Sequence, residues 1–146
     1  MVKRSIYLFL FVIALSPVSF LFADDLEIFG GSMVGVKPNV LILFDTSISM
    51  GYCVDSNTWC STNNRLDAAQ SAVINLLATN SQEANFGLMK FNGSNGGELV
   101  KSCGALTSED VELLESNDST PLAEALYEAG LYFAGEPGWF NGGATY

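Results

Sequence analysis

The stretch NVLILFDTSISM, residues 39 to 50, runs an unbroken apolar segment into a polar loop. Val40 to Phe44 has the length of a strand and no alternation of apolar with polar residues. It reads as a strand covered on both faces, as in the parallel sheets of α/β domains. Asp45, Ser47 and Ser49 follow at alternate positions. In open α/β sheets the carboxyl end of a strand is where ligands bind. One carboxylate and two hydroxyls are hard oxygen donors, a set suited to one small divalent cation, Mg²⁺ or alternatively Mn²⁺ or Ca²⁺.

The flanks fit an α/β unit. Residues 24–37 are a glycine-containing lead-in, and Pro38 sets up the strand. The connection from Asp45 to Asn64 exceeds the roughly 2–6 residues usual between strand and helix. The excess is a polar loop bounded by Cys53 and Cys60. Arg65 to Leu77 has helical periodicity, with Leu66, Ala69, Val73 and Leu77 on one stripe, Ile74 and Leu76 widening it, and Asn63 or Asn64 as cap. Asn85 to Phe91 reads as a second strand and Glu98 to Ser102 as a third. The glycine-rich turn between them predicts an antiparallel hairpin at a sheet edge. Ser108 to Leu114 is a short acidic helix or turn. A last helix is expected to start with Thr120 as N-cap and Pro121 at its first position, burying Leu122, Ala125, Leu126, Ala129 and Phe133.

The amino terminus has the make-up of a secretory signal peptide: basic Lys3-Arg4, an apolar run from Ile6 to Phe22, and a cleavage site after Ala23. Leu21, large for the position three before that site, leaves an uncleaved anchor as the alternative. Beyond residue 23, Lys37, Arg65, Lys90 and Lys101 face sixteen acidic residues, a net charge of −12. Such a surface repels phosphate backbones and anionic lipid, which argues against nucleic-acid binding. Cys53, Cys60 and Cys103 are disulfide candidates in an exported chain, and Cys53–Cys60 needs the least reach. Export is expected, with no integral membrane segment after cleavage.

Most catalytic sets are ruled out by composition. The chain has no histidine, so it cannot assemble a Ser-His-Asp triad. Neither a phosphate-cradling Gly-x-x-x-x-Gly-Lys loop nor a dinucleotide fingerprint occurs. Asp45-Thr46-Ser47 begins like an aspartyl-phosphate loop, but Ser47 stands where those phosphotransferases need a second Asp. The expectation is therefore a protein that is not an enzyme, with metal-assisted phosphohydrolysis as a distant alternative.

Four segments together resemble a von Willebrand factor type A domain: the strand with Asp45-Thr-Ser-Ile-Ser-Met50, the helix opening Arg65-Leu-Asp-Ala-Ala-Gln70, Phe86-Gly-Leu-Met-Lys-Phe91, and Ser119-Thr-Pro-Leu-Ala-Glu-Ala-Leu126. The likeness covers about residues 38 to 135. It implies a Rossmann-like fold with a mostly parallel central sheet, an antiparallel edge hairpin and helices on both faces. It also implies a metal-ion-dependent adhesion site with Asp45, Ser47 and Ser49 as its first cluster and Thr120 as the second-loop hydroxyl. The family's last acidic ligand follows a later strand, so residues 38–146 read as a partial domain with an incomplete site, and Asp118 is the nearest substitute. Ile48 stands where the family usually has Gly. The signal peptide close before Pro38-Asn-Val-Leu-Ile-Leu-Phe-Asp-Thr-Ser47, and Thr120-Pro-Leu-Ala-Glu-Ala-Leu-Tyr127, are most similar to PilC/PilY-type pilus tip proteins. That resemblance implies a role in type IV pilus assembly or attachment, in the periplasm, at the outer-membrane surface or on the pilus, with a protein ligand's carboxylate, a pilus component or a host surface as partner. The competing reading is a structural α/β module of a cell-surface protein, in which Thr120 only caps its helix and Ser47 and Ser49 only satisfy loop amides.

Overall fold

Residues 36–143 and Tyr146 are described by the computed structural model. The expected signal peptide and all but the end of the lead-in lie outside them. The described chain is mixed α/β. A three-stranded sheet is formed by β1 (Asn39–Phe44), β2 (Asn85–Phe91) and β3 (Gly97–Lys101), in that order. The helices are α1 (Arg65–Asn80), α2 (Ser108–Glu112) and α3 (Leu122–Ala134), with a 3-10 turn at Ile48–Gly51. β1 and β2 pair in parallel, Ile42 opposite Leu88, with α1 as the crossover that a parallel pair requires. β2 and β3 form the expected antiparallel hairpin, one residue earlier than predicted on β3. Its turn needs Gly93 and Gly96, whose φ angles are +55° and +77°. Of the two strand pairings one is parallel, so the expectation of a mostly parallel sheet is not met among the described residues.

α1 begins as the sequence predicts and runs three residues further. Asn64 and Asp67 exchange side-chain-to-backbone bonds of 2.8 and 3.1 Å, a capping box. Leu66 and Leu77 enter a core with Phe44, Phe86, Leu88, Val111 and Leu114, and Ala69, Val73 and Ile74 pack against it. Leu76 lies one residue, about 100° of helix, from Leu77 and is exposed, so it does not widen the stripe. α2 is held to α1 by Gln70, whose amide donates to the carbonyls of Val111 and Leu114 at 2.9 and 3.1 Å. Thr107 caps α2 through Asp110, and Lys101 pairs with Asp110 at 3.2 Å. The Thr107 hydroxyl bond, helped by Lys101, holds the Asp110 carboxyl below the usual carboxylate range.

α3 differs from expectation at its start and on its buried face. Pro121, not Thr120, is the N-cap, and no side chain caps the helix. The Thr120 carbonyl accepts the Leu122 N–H at 2.9 Å, closing a tight backbone turn that leaves the threonine outside the helix. Ala125 and Glu128 are its buried residues, whereas Leu126 is 65% exposed and Leu122 and Phe133 are exposed too. Close approach to the sheet explains the choice. A Cβ on Gly97 would lie 3.3 Å from Ala125 Cα and 2.6 Å from Met89 Sδ, so only small residues fit that crossing. Glu128 is tolerated inside because it accepts hydrogen bonds from Phe140 N–H and the Tyr146 hydroxyl. Burial, and then Glu128, push the Tyr146 phenol up to about 12. Since alternate residues of a strand face opposite sides, α3 over Met89 and α1 over Leu88 cover the two faces of β2.

β1 is less covered than its sequence implies. Phe44 is buried, Leu41 to Leu43 are half-buried, and Asn39 and Val40 are exposed. The reason is its position: β1 is an edge, and among the described residues no strand lies beside its outer side.

Candidate cation site

The loop after β1 is wound tightly by its own polar groups. Asp45 Oδ1 accepts the Ser47 N–H at 2.8 Å, and the Ser47 carbonyl accepts the Met50 N–H at 2.9 Å as the 3-10 turn starts. Ser47 is extended, with φ −62° and ψ 155°, which turns its hydroxyl toward that of Ser49, 3.1 Å away. Ile48 keeps a negative φ, since Asn63 is the one non-glycine residue with positive φ among those described. A glycine is therefore not required at position 48. Ser47 is buried, Asp45 half-buried and Ser49 exposed, so the three oxygen-bearing side chains grade from the interior out to solvent.

The donor set fits a hard cation. Two neighbouring octahedral ligands at 2.0–2.1 Å from Mg²⁺ stand ~3.0 Å apart, close to the separation of the two serine hydroxyls. Asp45 Oδ2 has no protein hydrogen-bond partner among the described residues, and Oδ1 keeps a second lone pair. The same Ser47–Ser49 distance is also that of an ordinary hydroxyl pair. No group of three His, Cys, Asp or Glu side chains converges among the described residues, so a cation here would rest on one carboxylate, hydroxyls and water.

A second loop is stitched to the first by residues that the sequence reading did not single out for the task. Asp118 N–H donates to the Thr46 carbonyl at 3.0 Å, and Ile48 N–H donates to the Asp118 carbonyl at 2.9 Å, a short parallel bridge. The fully buried Thr46 hydroxyl donates to Asp118 Oδ2 at 2.8 Å, and Gly93 N–H donates to Oδ1 at 2.9 Å. Asp118 thus ties the loops after β1 and β2 to the approach of α3, with both carboxylate oxygens engaged. Thr120 stands two residues beyond this clamp, within about 7 Å of Asp118 along the chain. It is exposed, and among the described residues no hydrogen bond joins its hydroxyl to Asp45, Ser47 or Ser49. The structure brings Asp45, Ser47 and Ser49 together and leaves Thr120 outside their hydrogen-bonded group. Its place directly after the strand-end Asp45 is the only sequence feature that could have marked Thr46, whose burial is seen only in the structure.

The long connection is a hairpin standing on this loop. Cys53 and Cys60 are bonded, Cys53 N–H donates to Thr58 O at 2.8 Å, and Cys60 N–H donates to Gly51 O at 3.0 Å. Cys103 is free and half-buried; its N–H donates to the Tyr132 hydroxyl at 2.8 Å. Burial, and then the Cys103 thiol, push the Tyr132 phenol upward. Among the described residues no helix is long and apolar enough to cross a membrane. No protein-family model matches the chain, and no curated protein or solved structure does either.

Proposed function

We propose that this chain carries a metal-dependent adhesion or protein-interaction module of the von Willebrand factor A kind, exported and belonging to a type IV pilus tip or pilus-biogenesis protein. Asp45, Ser47 and Ser49 hold one Mg²⁺, Mn²⁺ or Ca²⁺, and Thr120 comes in from the second loop through water or a small movement past Asp118. The ion supplies an open coordination position for a partner's carboxylate, and no bond is broken: the module is not an enzyme. The observation that supports this most directly is the 3.1 Å approach of the Ser47 and Ser49 hydroxyls beside the open Asp45 carboxylate. Asp118 is the positioning residue of the arrangement, holding the two loops in register.

The structural alternative has its own support, because the same serine pair and the Ser47 N–H to Asp45 bond satisfy loop groups without any ion. Calorimetric titration of MgCl₂ and of MnCl₂ into the whole chain separates the two. The cation reading expects saturable heat that Asp45→Ala and Ser49→Ala each abolish. Absence of heat with either salt, or heat indifferent to both substitutions, would sink it and leave a structural module. A phosphatase assay with p-nitrophenyl phosphate is expected to show no turnover.

A further inference from the structure

The hairpin between the candidate site and α1 is built more firmly than a spacer needs. Its backbone is laddered from Tyr52 opposite Trp59 and Cys53 opposite Asn64, and the disulfide closes it. Arg65 braces the far side, 5.8 Å over the Tyr52 ring and donating to Asn57 Oδ1 at 2.7 Å. Tyr52 in turn meets Trp59 edge to face at 6.2 Å. Trp59 rests on Gly51, where an added Cβ would fall 2.5 Å from two of its ring carbons. Yet the tryptophan remains 60% exposed. So large an aromatic, fixed in orientation and left in water, contributes little to the core, and is the kind of residue that dominates binding interfaces. Because the hairpin already holds it, ordering it on binding costs little rotamer freedom.

Its position ties it to the cation loop. The 3-10 turn runs from Ile48 to Gly51, and in such a turn side chains three residues apart eclipse one another. Ile48, itself 54% exposed, therefore points along the side on which Trp59 lies over Gly51. Ile48 is also the residue between the two site serines. At about 2 Å of rise per residue, the turn spans roughly 6 Å, which an extended peptide covers in about two residues.

We infer that Trp59 and Ile48 form a shelf that reads the residue next to the carboxylate bound at the cation. The ligand class is a peptide segment with a single Asp or Glu one or two residues from a bulky apolar or aromatic side chain. Charge narrows it further: with sixteen acidic residues against four basic ones beyond residue 23, this chain repels an acidic run, so the segment is otherwise neutral or basic. The inference rests on the cation reading above, and the following test separates the two.

Acetyl-Gly-Asp-Phe-Gly-amide and acetyl-Gly-Asp-Gly-Gly-amide are titrated into the whole chain by calorimetry, in MgCl₂ and in EDTA. The aromatic peptide is expected to bind at least tenfold more tightly in Mg²⁺. Trp59→Ala is expected to bring it down to the affinity of the glycine peptide, and Trp139→Phe to leave the preference intact. Equal binding of the two peptides in Mg²⁺, or a preference that survives Trp59→Ala, overturns the shelf while the cation reading stands. A preference undiminished in EDTA overturns both, because the aromatic contact would then owe nothing to a carboxylate held at a cation. Failure of both peptides to bind in Mg²⁺ overturns both.

Discussion

Removing the Asp118 carboxylate tests the clamp on which the site geometry depends. Asp118→Ala takes away the acceptor of the Thr46 hydroxyl and of the Gly93 N–H, bonds of 2.8 and 2.9 Å. Hydrogen bonds to charged groups contribute roughly 1.5–3 kcal/mol each. Thr46 is fully buried, and its one other acceptor, the Phe91 carbonyl, lies at a weak 3.5 Å. Loss at that end costs ~2 kcal/mol, an unpaired buried hydroxyl included. Gly93 is half-buried, so water replaces much of what it loses, leaving about 1 kcal/mol there. The expected destabilisation is ~3 kcal/mol. It is read from urea unfolding followed by far-ultraviolet circular dichroism. A double-mutant cycle isolates the buried half: in a Thr46→Val background, Asp118→Ala should cost only about 1 kcal/mol, a coupling of ~2 kcal/mol. Coupling below about 0.5 kcal/mol would refute the reasoning, since the two side chains would then contribute independently.

Other consequences are as direct. Tyr146 has its phenol raised from 10.0 to about 12, so the native state keeps a proton that the unfolded chain loses. Stability is therefore expected to be whole below pH 10 and to fall as pH rises from there to about 12. Tyr146→Phe should flatten that loss in alkaline unfolding curves, with Tyr132, also raised, supplying the remainder. Gly87→Ala drives a Cβ to 2.8 Å from Cys103 N and 3.0 Å from Lys101 O, backbone atoms that cannot rotate away, and should cost ~1–3 kcal/mol. Gly130→Ala, which meets open space inside α3, should instead stabilise by about 0.8 kcal/mol in the same denaturation assay. Opening the Cys53–Cys60 bond frees a short loop whose closure entropy corresponds to about 2.5 kcal/mol, measurable as a lower urea midpoint after mild reduction.

What the sequence made legible was local. The apolar run at residues 40–44, the helix cap at Asn63 or Asn64 and the glycine turn at 93–96 each carry their structure in neighbouring residues, and those elements appear within a residue or two of their expected places; the Asp67 half of the capping box is seen only in the structure. Partnerships across the chain were not legible. The apolar stripe of α3 was visible, but which residues it buries is decided by Gly97, twenty-eight positions before Ala125, and by donors at Phe140 and Tyr146 that admit Glu128. Periodicity finds a face without saying what stands opposite it. The site divides the same way: Asp45, Ser47 and Ser49 lie within five residues and were readable as a cluster. The Thr46–Asp118–Gly93 clamp joins three loops, and nothing in any one of them announces the other two. Thr120 looked like a cap because it precedes Pro121, but the backbone turn through Leu122 makes a side-chain cap unnecessary.

The outer side of β1 has a consequence for handling the molecule. Six residues without a charge, a proline or a bulge present a row of backbone donors and acceptors that no strand among the described residues meets, the features by which most proteins discourage a second chain from zipping on being missing from this strand. At high concentration, the path of least resistance is then growth by lateral strand addition, with parallel or antiparallel copies both able to start it. Dilution and a net charge of −12 beyond residue 23 work against that growth; added salt, by screening the charge, works for it.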